Sequence, residues 1–290
     1  MKHTITLFLI CLFILFISCT KNKIKEPQIE RKKTTALLIT DSSGIYDRTF
    51  NAAAFSGLLS YYGDTVDKQI YKGVYYDTIE CSSKSEVCNL LEEAMLSKKY
   101  QLIISPGESL YPAVVSLAKK HPDQKFMFID TVHEGLPNVI SFSFPEEQGA
   151  FLIGSAAAYQ AQYEGRNNPS FGFIGGEKSL VVTKFQLGFI QGINYVYPDA
   201  HIEEYYTGSW NRKDLAYHKS SLWYENGIYA VFTAAGASSL GTIEAAKRYR
   251  QKGYNVWALG VDADQHSLGV YAPNKSAVLT SMLKDVGRAV

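Results

Sequence analysis

The sequence predicts an α/β fold made of two successive parallel sheets, and three observations support this expectation. From Thr35 onward, short apolar runs alternate with segments of helical periodicity, which is the pattern of strand–helix–strand units. The alternation starts again near Gly149, and 290 residues are enough for two domains of ordinary size. An apolar content of 46% is typical of a folded globular protein and argues against intrinsic disorder.

The first series of elements alternates regularly. Its clearest helix places Val87, Leu91 and Ala94 on one face, with Ser83 as a plausible N-terminal cap. The predicted elements, in order, are a strand at 35–40, helices at 50–62 and 83–99, a strand at 102–105, a helix at 112–120, a strand at 126–130 and an apolar run at 139–144.

The second series repeats the pattern. One of its helices carries Phe185, Phe189 and Ile193 on a single face. The predicted elements are a helix at 149–163, a strand at 170–174, a helix at 181–196, a strand at 202–206, a helix at 214–226, a strand at 229–233, a helix at 240–252, a strand at 255–261 and a final helix at 283–290.

The N-terminal residues are expected to be an export signal followed by a lipid anchor. Lys2 precedes an apolar run over residues 4–17, which is shorter than the ~20 residues of a comfortable membrane span. The segment ending at Cys19 resembles a bacterial lipobox, although Phe16 stands where Leu is usual. We expect a signal peptide at 1–18, acylation of Cys19 and a solvated tether at 19–33, on a cell membrane and facing the periplasm or the exterior. An ordinary signal with a chance Cys is the alternative.

Two cysteines, Cys81 and Cys88, remain in the predicted folded part, separated by six residues. An exported protein permits a disulfide, but spacing alone does not show that the two Cα atoms lie within about 7 Å. The sequence therefore leaves their pairing open, and no neighbouring His or Cys indicates a metal site.

Charge and aromatic content limit the classes of partner that the protein can bind. Lys and Arg number 29 against 28 Asp and Glu, so no field exists that would attract nucleic acid. The 13% aromatic content suits a binding cleft, because Tyr and Trp combine an apolar face with a polar tip. A genome of low G+C content, which encodes many Tyr and Phe residues, explains this aromatic content equally well.

Polar or small residues directly follow several predicted strands. In open parallel sheets, ligands bind beyond the carboxyl ends of the strands. A single Asp at such a place is usually a cap or turn residue, but three at equivalent positions favour a ligand site. The residues selected in this way are Asp41, Asp130, Gly175, Gly176, Ala235, Gly236 and Asp262.

Catalytic and cofactor motifs are missing from the sequence. It has no phosphate-loop or dinucleotide-binding glycine pattern, no nucleophile elbow, and no metal-ligand spacing among its six His. Asp262 and Asp264 form a lone Asp-x-Asp pair, for which a turn or hinge role is the better interpretation. We therefore expect no enzyme activity, no cofactor and no metal.

Several motifs in the right order resemble one family. An Asp, a short loop, a second Asp and a Phe-Asn pair open the match, and glycine-rich and Asp-rich segments follow. The matching segments are 41–51, 172–176, Phe185 with 188–192, 208–211, 234–236, 260–265 and 281–284. On these motifs the chain is identified as a member of the basic membrane protein (BMP) family of lipoproteins, of the purine nucleoside receptor type, over residues 35–290.

The resemblance implies a type I periplasmic-binding-protein fold with two doubly wound parallel-sheet lobes joined by hinge strands. The N-terminal lobe would comprise 34–142 with 280–290, and the C-terminal lobe 143–279. Such proteins capture a purine nucleoside for the permease of an ABC importer, and we expect this one to be a monomer. Family members usually continue further, so we expect the C-terminal end to be truncated. The pair Ser42-Ser43 stands where the family has more Gly- or Asn-like residues, and this and other differences from the family pattern leave the base preference open.

The resemblance also implies roles for aromatic residues in holding the base. A purine has two π-faces, and aromatic rings prefer offset stacking. Phe50 from one lobe, with Phe185 or Trp210 from the other, is expected to sandwich it. Without the resemblance, Phe50 and Phe185 would be interpreted as core residues of their helices.

Polar residues implied for the base and the ribose complete the candidate site. Asp41 and Asp130 are expected to accept hydrogen bonds from the base, and Asn51 to donate and accept at a ring edge. For the ribose, the expected residues are Asp262 for the two hydroxyls, Lys284 for a sugar oxygen and Gly236 for close backbone approach.

Three alternatives stay open at this point. In the first, the same fold serves another small ligand, such as a sugar or an autoinducer, and the base contributes nothing to binding. A surface adhesin or sensor lipoprotein without a transport role is the second. A metal-dependent transferase that uses Asp262 and Asp264 is the third.

Overall fold

A computed structural model of the chain describes residues 33–81 and 83–290. Residues 34–290 form one compact unit. The predicted signal at 1–18, the lipidation site Cys19 and the tether as far as residue 32 lie outside the described residues. Within the described ranges, no helix has both the length and the apolar character needed to cross a membrane.

The first sheet has five parallel strands. The elements are β1 Ala36–Thr40, α1 Phe50–Tyr62, β2 Tyr76–Glu80, α2 Lys84–Leu96, β3 Leu102–Pro106, α3 Tyr111–Lys120, β4 Lys125–Ile129 and β5 Val139–Phe142. The strand order in the sheet is β2-β1-β3-β4-β5. Leu37 and Ile39 pack with one set of helices, whereas Ala36 and Leu38 pack on the opposite face, so β1 is buried on both sides.

The second sheet also has five parallel strands. The elements are α4 Glu146–Tyr163, β6 Ser170–Gly175, α5 Leu180–Asn194, β7 Ile202–Tyr206, α6 Lys213–Glu225, β8 Ile228–Ala234, α7 Ser239–Gln251, β9 Trp257–Asp262, β10 Val270–Ala272, β11 Lys275–Ser276, β12 Val278–Leu283 and α8 Val286–Ala289. The strand order in the sheet is β12-β9-β8-β6-β7. Phe171, Phe173 and Phe232 pack under α4 and α5, and Val231 and Ala258 pack under α6 and α7.

The structure confirms the alternating α/β pattern and differs from it at β2, at the C-terminal end and at the short strands β10 and β11, which the sequence did not predict. Strand β2 has polar residues between its apolar ones and lies at a sheet edge, so it lacks the continuous apolar run that identified most of the other strands. The predicted helix at 283–290 is only the short α8, and residues 280–283 belong to β12 in the second sheet. Helix α8 packs against α1, where Gly57 and Gly287 touch. The division of the chain into two lobes stays a prediction.

The state of the two cysteines, left open by the sequence, is settled among the described residues. Cys81 and Cys88 are both free thiols. Cys81 is buried at the end of β2, and burial raises the pKa of its thiol to about 11. The thiol is therefore neutral at physiological pH and packs as an apolar residue.

Helices α4 and α5 approach closely because glycines replace side chains where they cross. A Cβ at Gly188 would collide with the carbonyl oxygen of Glu147, and one at Gly192 with that of Phe151. Gly154 makes the reciprocal contact with Phe189. This close packing sets α4, and with it Glu146 at its first position, against the second sheet.

A Gly192→Ala substitution should therefore destabilise the protein, although alanine is the better helix former. We expect a loss of about 1–3 kcal/mol, because the helices must separate to admit the methyl group. Gln191→Ala, on the exposed side of the same helix, is the matched control and should change stability by less than about 0.5 kcal/mol. Urea denaturation measures both variants, and equal stabilities would contradict the close packing.

Candidate ligand-binding site

One cavity gathers residues from the carboxyl ends of both sheets. Asp41 follows β1, Asp130 follows β4 and Asp262 ends β9, as the rule for open parallel sheets predicts. The cavity has about 620 Å³ of space free of protein atoms, including its open mouth. All nine predicted binding residues line it: Asp41, Phe50, Asn51, Asp130, Phe185, Trp210, Gly236, Asp262 and Lys284. Their role as ligand contacts stays a prediction.

A buried ion-pair cluster borders the cavity. The Nζ of Lys284 lies 2.7 Å from Oδ2 of Asp130 and 3.1 Å from Oε1 of Glu146. The Lys284 and Glu146 side chains are each only 1% exposed. Burial by itself lowers the pKa of Lys284, but Asp130, Asp262 and Glu146 outweigh it and hold the pKa above its ordinary value. Lys284 is therefore a charged residue fixed by carboxylates.

Burial also perturbs the acidity of Asp262, which lines the cavity. Burial raises its pKa from 3.8 to about 7; Lys284 opposes the shift, whereas Asp130, Asp47 and Glu146 add to it. Its backbone is left-handed, with φ of 66°, a conformation that Asp and Asn adopt more readily than most residues. The site therefore contains a carboxyl group that changes charge near neutral pH.

Aromatic rings border the ammonium group of Lys284. The Nζ of Lys284 lies 5.3 Å from the ring centroid of Phe50 and 5.0 Å from that of Phe185. Phe50 is half-buried, whereas Phe185 is 4% exposed and packs edge-on to Phe232 in the core. Phe185 therefore serves both the core and the cavity wall, so the two interpretations of this residue are compatible.

Trp210 lies against glycine backbone at the side of the second sheet. A Cβ at Gly176 would lie 2.6 Å from Cε3 of the indole ring, so only glycine leaves room for it. Gly236 has φ of 54° and its backbone approaches the carbonyl oxygen of Trp210. The indole Nε1 is buried and has no hydrogen-bond acceptor among the described residues. Burial of an unpaired donor is costly unless a ligand or water accepts from it.

The loop before α1 fixes Asn51 and Asp41. Asp47 accepts hydrogen bonds from the backbone N–H of Thr49 at 2.9 Å, Asn51 at 3.1 Å and Ala52 at 2.9 Å, and so caps the helix. The side-chain amide of Asn51 donates to Oδ1 of Asp41 at 3.0 Å. These bonds hold both side chains in place without a ligand, which lowers the entropy cost of binding.

Two residues of the site were missed by the sequence predictions. Asp47 lines the cavity, and its position two residues before Thr49 is a local signal for helix capping. Glu146 is 1% exposed, but an acidic residue in the first turn of a helix is ordinary on a surface, so no local pattern reveals its burial. Asp264 lies outside the cavity lining, and its Oδ1 accepts from the N–H of His266 in a turn.

Comparison with known proteins identifies the family. The family described as "ABC transporter substrate-binding protein PnrA-like" (Bmp) matches residues 34–290, nearly the whole described part of the chain. This chain belongs to the Bmp family. Bmp proteins are by that description the substrate-binding components of ABC transporters, which is a binding role and not an enzymatic one.

Two relatives of this Bmp chain are similarly distant from it. The Lactococcus lactis protein named "ABC transporter nucleoside-binding protein BmpA" is 31% identical over 262 residues, covering 88% of this chain and 72% of the relative. The Listeria monocytogenes "CD4+ T-cell-stimulating antigen" is 31% identical over 266 residues, covering 89% and 72%.

A solved structure shows the same fold. An ABC transporter solute-binding protein from Aeropyrum pernix superimposes on this Bmp chain with a TM-score of 0.74, at 23% identity, over 88% of this chain and 68% of that one. With two parallel sheets flanked by helices, the chain has the α/β type I periplasmic-binding fold that the resemblance implied.

Proposed function

We propose that this chain captures a purine nucleoside in the described cavity and delivers it to the permease of an ABC importer. The observation that carries the proposal is the convergence of aromatic rings and buried carboxylates on one cavity at the carboxyl ends of both sheets. The name of the Lactococcus lactis relative, a nucleoside-binding protein, supports the same ligand class.

The aromatic side chains suit the base. A purine has two flat faces, and Phe50 borders the cavity from the first sheet while Phe185 and Trp210 border it from the second. Aromatic pairs contribute about 0.5–1.5 kcal/mol beyond their area burial. The cluster of Asp41 and Asn51 supplies a carboxylate and an amide for the polar edge of the base.

The acidic side chains suit the ribose. Hydroxyl groups are hydrogen-bond donors, and a desolvated carboxylate is a strong acceptor for them. We assign Asp262 to the ribose hydroxyls because, unlike Asp130, it forms no ion pair with a described residue. Lys284 is already held by Asp130 and Glu146, so its remaining donor capacity is directed to a sugar oxygen.

The charge of the cavity opposes phosphorylated ligands. Among the described residues that line it, Lys284 is the one cation, against Asp41, Asp47, Glu108 and Asp130 in addition to Asp262. A phosphate group would bring about two further negative charges into this surrounding. We therefore propose that the site takes the nucleoside and rejects the nucleotide.

Isothermal titration calorimetry with adenosine, guanosine, inosine, ribose and a purine 5′-monophosphate tests this proposal. We expect saturable binding of at least one nucleoside, with the matching monophosphate and free ribose at least tenfold weaker. Binding of ribose as tight as that of every nucleoside would assign the site to a sugar. A lack of saturable heat with all the nucleosides would contradict the proposal.

The proposed cellular setting follows from the N-terminal sequence. Removal of residues 1–18 and acylation of Cys19 would tether the protein, as a monomer, to the outer face of a cell membrane. Metabolic labelling with a palmitate analogue tests this, and we expect labelling of the wild type and none of a Cys19→Ser variant. Equal labelling of the two would contradict acylation at this residue.

A further inference from the structure

Four cationic side chains border a second groove that is separate from the ligand cavity. Arg48, Lys213, Lys247 and Arg248 line it, and Glu244 is the one carboxylate beside them among the described residues. None of the four forms an ion pair within the part of the chain that the structure describes. We call this surface the basic groove. Its positive charge is not neutralised internally, which favours a negatively charged partner.

The shape of the basic groove favours a protein segment over a membrane surface. Its remaining lining includes the apolar side chains of Leu240, Ile243 and Leu268, and it holds about 1190 Å³ of empty space including its open mouth. A flat anionic bilayer would attract the cations, but it would not fill a concave surface that also carries apolar side chains. A chain segment that carries both acidic and apolar side chains satisfies both features of the groove.

The position of the basic groove connects it with both sheets. Arg48 lies in the loop after β1 and follows Asp47, which lines the ligand cavity. Lys213 begins α6 and Lys247 lies on α7, both of which pack on the second sheet. A partner in the groove therefore contacts elements of both halves of the molecule beside the ligand site.

We propose that the basic groove is a docking site for an acidic, partly apolar surface segment of a partner protein. The partner that we propose is the membrane subunit of the importer, and this identity rests on the proposed transport function. The chemistry of the groove is independent of that function, since none of its lining residues lines the ligand cavity.

Fluorescence anisotropy with a labelled synthetic peptide, in which glutamate pairs alternate with leucine, tests the proposal on the full chain. We expect saturable binding that Arg48→Glu and Lys247→Glu each weaken at least tenfold. Lys68→Glu, an exposed reversal of charge outside the groove, is the matched control and should change affinity less than twofold. The same peptide with glutamine in place of glutamate should not bind.

Three results would overturn the proposal: no saturable binding of the acidic peptide, equal binding by all the variants, or groove-dependent binding of vesicles containing 30% phosphatidylglycerol in place of the peptide. Nucleoside titration of the same preparations separates the two proposals. Peptide binding without nucleoside binding would overturn the proposed ligand alone, whereas nucleoside binding without peptide binding would overturn the docking site alone.

Discussion

Replacement of Lys284 by methionine is expected to lower the free energy of unfolding by about 3–5 kcal/mol. The ammonium group lies within 3.1 Å of two buried carboxylates, Asp130 and Glu146. Methionine has a similar length but no charge, so the substitution leaves those carboxylates buried without their shared cation. Urea denaturation at neutral pH measures the loss.

Lys184→Met is the matched control for this experiment. The Nζ of Lys184 lies 3.5 Å from Oε2 of the same Glu146, but the Lys184 side chain is 37% exposed. An exposed ion pair contributes about 0–1 kcal/mol, so this variant should stay close to the wild type. If the two variants lost equal stability, the burial of the Lys284 cluster would not be what stabilises the fold.

The stability deficit of Lys284→Met should shrink as the pH falls. Burial raises the pKa of Asp130 in the folded protein, and Lys284 opposes that rise. Without the lysine, the folded state holds the Asp130 proton more tightly than the unfolded state does. Protein stability then increases as the pH is lowered through the raised pKa, because the folded state binds more protons. A deficit that stayed constant between neutral and mildly acidic pH would contradict this account.

Replacement of Asp262 by asparagine is expected to weaken nucleoside binding about 10- to 100-fold, because a hydrogen bond to a charged group contributes about 1.5–3 kcal/mol. Asparagine keeps the shape of the side chain and tolerates the left-handed backbone at this position, where φ is 66°. Isothermal titration calorimetry at pH 8 measures the change. Asp264→Asn, two residues further on and outside the cavity lining, is the matched control and should bind normally.

The same variant should be more stable than the wild type without ligand at alkaline pH. Burial raises the pKa of Asp262 from 3.8 to about 7. Between these values the folded state binds more protons than the unfolded state, so the stability contributed by this group falls as the pH rises through that window. Asparagine has no proton to lose, and we expect its melting temperature to exceed that of the wild type at pH 8 but not at pH 4. A melting temperature of the variant below that of the wild type at pH 8 would contradict the claim that burial of the Asp262 charge is destabilising.

If Asp262 accepts the ribose hydroxyls, as we propose, nucleoside affinity of the wild type should rise as the pH rises through about 7, because the ionised carboxylate is the stronger acceptor. The Asp262→Asn variant should show no such dependence near neutral pH. An identical pH profile for the wild type and the variant would show that Asp262 does not contact the nucleoside.

Much of the fold could be predicted from the sequence because parallel strands and their helices leave local patterns. The buried strand before Asp41 and the one that ends at Asp262 are both apolar runs, and the strand-end rule led from them to the cavity. Strand β2 was not predicted, since its polar residues interrupt the apolar run that would have identified it.

The electrostatics of the site were less predictable, because they depend on distant residues. Lys284 pairs with Asp130 from 154 residues away, and by local pattern alone it would be interpreted as a surface lysine. Only the family resemblance placed it in the site. Glu146 received no prediction, since its burial depends on the packing of α4 against α5 and on Lys284.

A crystal structure of the protein with the tightest-binding purine nucleoside tests the central claim most directly. We expect the base to lie against Phe50 and Phe185 or Trp210, with a ribose hydroxyl oxygen about 2.5–3.0 Å from a carboxylate oxygen of Asp262. A nucleoside bound outside this cavity, or one whose ribose faces away from Asp262, would contradict the account.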